Sequence, residues 1–181
     1  MTERASAWVA RWAPALPAGE VLDLACGRGR HARLCAALGH AVLAVDRDPA
    51  VLAEAAGPGI VTQCVDLEDE GAVWPFAPGR FAGAVVTNYL HRPLFADLAA
   101  ALQPGGLLIY ETFALGNAAY GKPSNPAFLL APGELLDLAR TYGLHVLAYE
   151  DGVVQAGRAA RVQRICATAP GCDLALTPLD L

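Results

Sequence analysis

The chain has 181 residues, 55% of them hydrophobic, enough for one domain that buries roughly 70% of its extended surface without covalent staples. Its net charge of −5 supplies no basic field for a phosphate backbone, so nucleic acid is not an expected partner. Cysteines 26, 35, 64, 166 and 172 show neither Cys-x-x-Cys nor metal-ligand spacing, which points to small buried hydrophobes in a reduced compartment and to no metal site. Arg4 and Arg11 break the N-terminal apolar stretch, and no apolar run approaches the ~20 residues of a bilayer span. The expectation is a cytoplasmic protein, monomer or homodimer, with no membrane contact.

Residues 3–13 place Trp8 and Trp12 on one face of a short helix that stops before Pro14 and Pro17. Val21-Leu-Asp-Leu-Ala-Cys-Gly-Arg-Gly-Arg-His-Ala32 then passes from an apolar strand, through Gly27-x-Gly29, into a helix closed by Gly39. Leu34 and Leu38 should turn that helix towards a sheet. Glycines in such a turn let a ligand approach the backbone across the strand end. Asp23 precedes the turn and Asp46 ends the next strand, Ala41–Val45. A buried carboxylate there would repel a pyrophosphate, so a cationic ligand without phosphate suits it better.

Asp48 and Pro49 read as N-cap and first residue of a helix that Gly57-Pro-Gly59 stops. A strand Ile60–Val65 ends at Asp66, repeating the placement of Asp46, and the acidic run Asp66–Glu70 reads as a solvated face. Trp74-Pro-Phe76 and Pro78-Gly79 predict a loop or single turn. Strand Phe81–Thr87 runs into Asn88-Tyr-Leu-His-Arg-Pro93, and Pro93 suits the first turn of a helix with the stripe Leu94, Leu98, Leu102. Pro104-Gly-Gly106 ends it and strand Leu107–Tyr110 follows. From Thr112 to Ala131 glycines, prolines and asparagines deny both periodicities, and a connection of that length reads as a substrate-facing loop. A helix from Pro132 to Gly143, a strand Leu144–Tyr149, a turn beginning at Asp151-Gly152 and an antiparallel strand Ala159–Ala167 complete a doubly wound α/β sheet.

Val21–Ala32 resembles motif I, Asp-x-Gly-x-Gly-x-Gly, of the class I S-adenosylmethionine-dependent methyltransferases, with Ala25 in the place of the first glycine. Asn88–Pro93 resembles their motif IV, and Pro104-Gly-Gly106 before an apolar strand is a further hallmark. The resemblance covers nearly the whole chain and is to small types such as the tellurite-resistance and thiopurine enzymes. It implies a Rossmann-like seven-stranded sheet, order 3-2-1-4-5-7-6 with the last strand antiparallel. It also implies one methyltransferase domain over 1–181: an N-terminal helix and linker (1–18), an α/β core (19–168) and a tail (169–181). The implied activity is in-line methyl transfer from S-adenosylmethionine to a small-molecule acceptor.

By the same resemblance Asp23, Ala25, Gly27 and Gly29 line the methionyl end, Asp46 with Arg47 beside it takes the ribose hydroxyls, Asp66 and Leu67 border adenine, and Asn88 sits near the methyl. Trp12 either docks its helix on the core or presents an indole face to the cationic methionyl group. If a base is needed His91 comes first, then Tyr89 and Glu111; the alternatives are a helix-capping group for His91, a packed ring for Tyr89 and a partner of Arg92 for Glu111. His31 belongs to the helix after the turn. Two other functions stay open: a non-catalytic S-adenosylmethionine-binding protein, and an NAD-dependent oxidoreductase using Asp46 on the adenosine ribose. The latter leaves Asp23, Asp66 and Pro104-Gly-Gly106 unexplained.

Overall fold

The structure is a computed structural model that describes residues 4–155 and 159–171. Seven strands, β1 (Glu20–Leu24), β2 (Ala41–Asp46), β3 (Ile60–Cys64), β4 (Phe81–Thr87), β5 (Leu102–Phe113), β6 (His145–Val154) and β7 (Ala160–Thr168), form one sheet in the order β3-β2-β1-β4-β5-β7-β6. β1 to β5 run parallel, and β7 lies antiparallel to both β5 and β6. This is the doubly wound α/β sheet, and the strand order, that the resemblance implied. β4, at the centre, is buried at all seven positions, as a parallel strand covered on both faces must be.

Alternation along the strands divides the core in two. Val21, Val42, Val85 and Ile109 meet α1 (Ala7–Trp12), α2 (Arg30–Ala37) and α3 (Pro49–Ala55) on one face. Leu22, Leu43, Leu108 and Tyr110 meet α4 (Phe95–Ala100) and α5 (Glu134–Thr141) on the other. The segment between β3 and β4 contains no helix; Trp74 stacks edge-on against Phe76, and Phe76 against Phe81, closing the apolar layer there.

Several local expectations shift. α1 begins at Ala7, where the Ser6 hydroxyl accepts the Val9 amide as an N-cap, and a single 3-10 turn, Ala13–Ala15, follows it. α2 presents His31, Ala32 and Cys35 to the sheet, while Leu38 is 44% exposed. The small residues let the helix sit close above β1, where the Asp23 carboxylate accepts the Ala32 amide and fixes its rotation. β5 starts at Leu102, already paired with Phe81, and carries Pro104-Gly-Gly106 as an irregularity whose backbone bonds go to Ala169 and Pro170. β6 continues through Asp151 and Gly152 to Val154, because both residues pair with β7 in place of turning.

Residues 114–131 hold two 3-10 turns, Asn117–Ala119 and Pro126–Phe128. The buried Asn117 side chain donates to the Pro123 carbonyl (2.9 Å) and accepts the Arg161 amide (3.0 Å), so the segment is tied to β7. Among the described residues no helix is long and apolar enough to cross a membrane. Cys172 and the tail beyond Gly171 lie outside the described residues.

Candidate active site

The turn after β1 is built from three left-handed backbones. Ala25, Gly27 and Gly29 have φ of 53°, 53° and 73°, a region costly to residues with a Cβ. At Gly29 a Cβ would lie 2.7 Å from the Ala55 Cβ, so this glycine permits α2 and α3 to touch. At Gly27 a Cβ would meet nothing within 4 Å, and this glycine borders a cavity. The Gly27 amide donates to Asp46 Oδ2 at 2.9 Å, and the Asp48 amide to Asp46 Oδ1 at 3.0 Å. A carboxylate has about four acceptor sites, so Asp46 is oriented by the backbone and retains capacity for a ligand.

Two cavities flank this turn. One, of about 190 Å³, is bordered by Asp46, Arg47, Asp66, Leu67 and Tyr89, with Val45 and Val65 supplying apolar wall. The other, of about 240 Å³, is bordered by Cys26, Gly27, Arg28, Arg30, Thr87 and Asn88. Ala25 and Tyr89 line both. The first has apolar walls for a heteroaromatic ring and a carboxylate for a ribose diol; the second lies along the glycine turn, where Arg28 is already engaged by Glu54. Asp66, with its Oδ1 on the Glu68 amide and Arg47 3.8 Å from Oδ2, borders the first cavity. These residues fit the adenosyl and methionyl parts of S-adenosylmethionine.

Asp23 lies beneath the site, lining neither cavity. It is 1% exposed and its Oδ2 accepts the Ala32 amide at 2.8 Å. Burial, helped by Asp46, pushes its carboxyl up to about 7 against the opposing Ala32 amide, Arg30 and Arg33. It shapes the turn from below. Trp12 is likewise displaced from its cofactor assignment: it is 1% exposed in the apolar layer under α1, edge-on to Trp8, and lines neither cavity. Of the two alternatives for that helix, docking on the core is the one realised.

The exit of β4 is held from several sides. The Asn88 amide donates to the Glu111 carbonyl at 2.9 Å, and the Tyr110 hydroxyl to the Tyr89 carbonyl at 2.8 Å. Thr87 Oγ1 lies 3.2 Å from His31 Nδ1, while His31 Nε2 accepts the Ser6 amide. Nε2 is therefore unprotonated and Nδ1–H donates to Thr87. Burial, with Arg30 adding, pushes the His31 pKa down to about 3, so the neutral ring joins α1 to the end of β4.

The three candidate bases are placed differently. His91 lines a separate cavity with Trp74, Asp69 and Asp97, and not the one bordered by Asn88. Glu111 is engaged by Arg164 at 3.1 Å, and Arg164 also holds Glu150; Arg92, the partner anticipated for Glu111, pairs with Glu134. Distance across the sheet separates those choices, since Arg164 is directly opposite Glu111 in the β5–β7 register. Tyr89 does reach the cofactor cavities, but burial and the nearby Glu68 push its phenol well above the ordinary range. Residues 114–131 line neither cavity.

Arg28, Arg30, Thr87 and Tyr110 escaped the sequence-based assignment. The Gly-Arg-Gly-Arg pattern could have flagged the two arginines; nothing local could have flagged Thr87 or Tyr110.

Residues 21–106 match the family model of a methyltransferase domain. Over that stretch the chain is similar to methyltransferase domains. Solved structures share its fold at low identity. TehB from Haemophilus influenzae superposes with a TM-score of 0.75 at 18% identity over 93% of this chain, which spans 63% of TehB's own length. An S-adenosylmethionine-dependent methyltransferase from Mesorhizobium loti gives 0.67 at 21% identity, over 88% of this chain and 97% of that one. The [4+2]-cyclase SpnF gives 0.69 at 16% identity, over 90% and 78%, so the methyltransferase fold is also found with a protein named for a different reaction. A search of curated protein sequences gives no match.

Proposed function

We propose that the chain methylates a small-molecule acceptor by in-line displacement at the methyl carbon of S-adenosylmethionine. The observation that carries this is Asp46: its carboxylate, oriented by the Gly27 and Asp48 amides, opens on a cavity beside the cradle left by Gly27. When bound, S-adenosylmethionine supplies a methyl already activated on a sulfonium. Asp46 holds the ribose, Leu67 and Tyr89 enclose the adenine, Asp66 accepts from its amine, and the second cavity takes the methionyl group with Asn88 near the methyl. Arg47 steadies Asp66 across the mouth.

The cavity bordered by Asn88 contains no carboxylate or imidazole side chain. Besides two arginines it is lined by Cys26 and Tyr89, both pushed up by burial, which keep their protons at neutral pH. The catalytic contribution is therefore orientation and exclusion of water. A donor held by these residues would supply the methyl group and keep the electron pair on its sulfur, and the acceptor would arrive ionised or lose its proton to solvent. Such a site suits soft or already ionised nucleophiles. Calorimetry with S-adenosylmethionine, S-adenosylhomocysteine and NAD tests the donor; NAD binding without the other two would refute it. Screening thiols, amines, phenols, carboxylates and chalcogen oxyanions for S-adenosylhomocysteine release tests the acceptor class. Binding without release from any of them would favour a non-catalytic role.

A further inference from the structure

Asn88 is the one residue of the β4 exit with a left-handed backbone, φ 55°, and it borders the cavity assigned to the methionyl group. Asn tolerates that conformation better than most residues with a Cβ, and bonds from a neighbouring strand must still select it. Two bonds from one strand do so. The Asn88 amide donates to the Glu111 carbonyl, and the hydroxyl of Tyr110, the residue before Glu111 on β5, donates to the Tyr89 carbonyl. Glu111 offers only its backbone, which any residue provides. Tyr110 offers a side chain that only tyrosine provides.

Tyr110 is built for one orientation. It is 2% exposed, and its ring meets Phe95 edge-on at 6.2 Å in the α4–α5 layer. Burial, reinforced by Tyr89 and Glu134, pushes its phenol far above the ordinary range, so it remains a neutral donor throughout the working pH. Tyr89, the residue it holds, lines both cavities. We infer that Tyr110 is a positioning residue: its hydroxyl clamps the Tyr89 carbonyl and so keeps Asn88 and Tyr89 in the conformation that shapes the S-adenosylmethionine site. This rests on the cofactor assignment above for its consequence, though not for its geometry.

Tyr110→Phe removes the hydroxyl and keeps the ring. Amide hydrogen exchange at Asn88, read without any ligand, should accelerate by about tenfold, the loss expected of one ordinary hydrogen bond. Exchange in β1 and β2 should stay as in the wild type. Affinity for S-adenosylhomocysteine should fall by a comparable factor. Phe95→Leu serves as the packing control, because it loosens the contact around the ring and leaves the hydroxyl in place. It should lower the melting temperature without selectively exposing the Asn88 amide.

Unchanged Asn88 exchange in Tyr110→Phe overturns the clamp. So does an equal acceleration in Phe95→Leu, since packing alone would then explain it. If wild-type protein fails to bind S-adenosylhomocysteine, the cofactor assignment fails, and the exchange comparison still decides the clamp. If Tyr110→Phe does not fold, the Tyr110 hydroxyl proton is read by NMR in the wild type: slow exchange with water supports its bond to the Tyr89 carbonyl, and exchange at the rate of a free phenol overturns the clamp.

Discussion

The carboxylates at the ends of β2 and β3 and those of the β5–β7–β6 half of the sheet are held in opposite ways. Among the first, Asp46 is bonded only by backbone amides and Asp66 by one amide and a guanidinium 3.8 Å away, and both open on a cavity. Among the second, Glu111 and Glu150 share Arg164, and Glu134 is taken by Arg92. Carboxylates held by amides remain acceptors for a ligand, whereas those closed by arginine mainly join strands and helices to one another. Under the proposed function, the ends of β2 and β3 recognise the donor and the other half supplies mechanical support. The exit of β4, between them, takes its backbone restraints from β5 and faces the cavities on the other side.

Removing Asp46 tests this contrast with the largest effect. Asp46→Ala should cost about 1.5–3 kcal/mol for each lost hydrogen bond to a charged acceptor, hence a hundredfold or more in S-adenosylhomocysteine affinity. Glu111→Gln, in the other half, should change that affinity less than about threefold. Calorimetry on both folded variants checks the pair, and equal losses would erase the distinction.

The glycine turn sharpens it further. Gly29→Ala brings a Cβ to 2.7 Å from the Ala55 Cβ with a left-handed φ, and should destabilise by about 2–4 kcal/mol from overpacking and backbone strain together. Gly27→Ala meets open space, so only the backbone cost of about 1–2 kcal/mol remains, yet its methyl projects towards the ligand. Urea denaturation should rank Gly29→Ala as the less stable, and binding should rank Gly27→Ala as impaired beyond its loss of stability.

Two buried titratable groups at the junction oppose one another. Asp23 rises from 3.8 to about 7 on folding; its contribution is complete below the unfolded value and is lost as pH rises through about 7. His31 falls from 6.5 to about 3; its contribution is complete above 6.5 and is lost as pH falls towards about 3. Between about pH 4 and 6.5 the slopes offset, each near 1.4 kcal/mol per pH unit at most. His31→Gln should therefore give a protein whose stability declines as pH rises from about 4 to 7, and Asp23→Asn one whose stability declines as pH falls below about 6.5. Urea midpoints across that range read the sign, and parallel profiles for the two variants would contradict it.

The smallest expected effect lies at Ala25, whose φ of 53° suits glycine. Ala25→Gly should relieve about 1–2 kcal/mol of left-handed strain and return part of it as unfolded-chain entropy, for a net gain of about 0.5–1 kcal/mol. A lower melting temperature in that variant would show that the alanine methyl contributes packing worth more than the strain.

The sequence by itself determined the order of the elements and the sheet type, and it located the glycine turn and strand end that border the cavities. Asp46, Gly27 and Gly29 were legible as neighbours because strand, turn and helix are contiguous, and the Gly27 amide bonds Asp46. It could not rank Leu34 against Ala32 and Cys35 for the inner face of α2, since helical spacing permits both and the Asp23–Ala32 bond made the choice. Trp12, Glu111 and His91 were candidates that only folding could sort: an indole submerged under α1, a carboxylate closed by an arginine 53 residues away, an imidazole facing another cavity. Burial and pairing between distant segments are properties of the packed sheet. Tyr110 gave no signal as a strand residue, and acquired its role when β5 was laid beside β4 and brought its hydroxyl within 2.8 Å of the Tyr89 carbonyl.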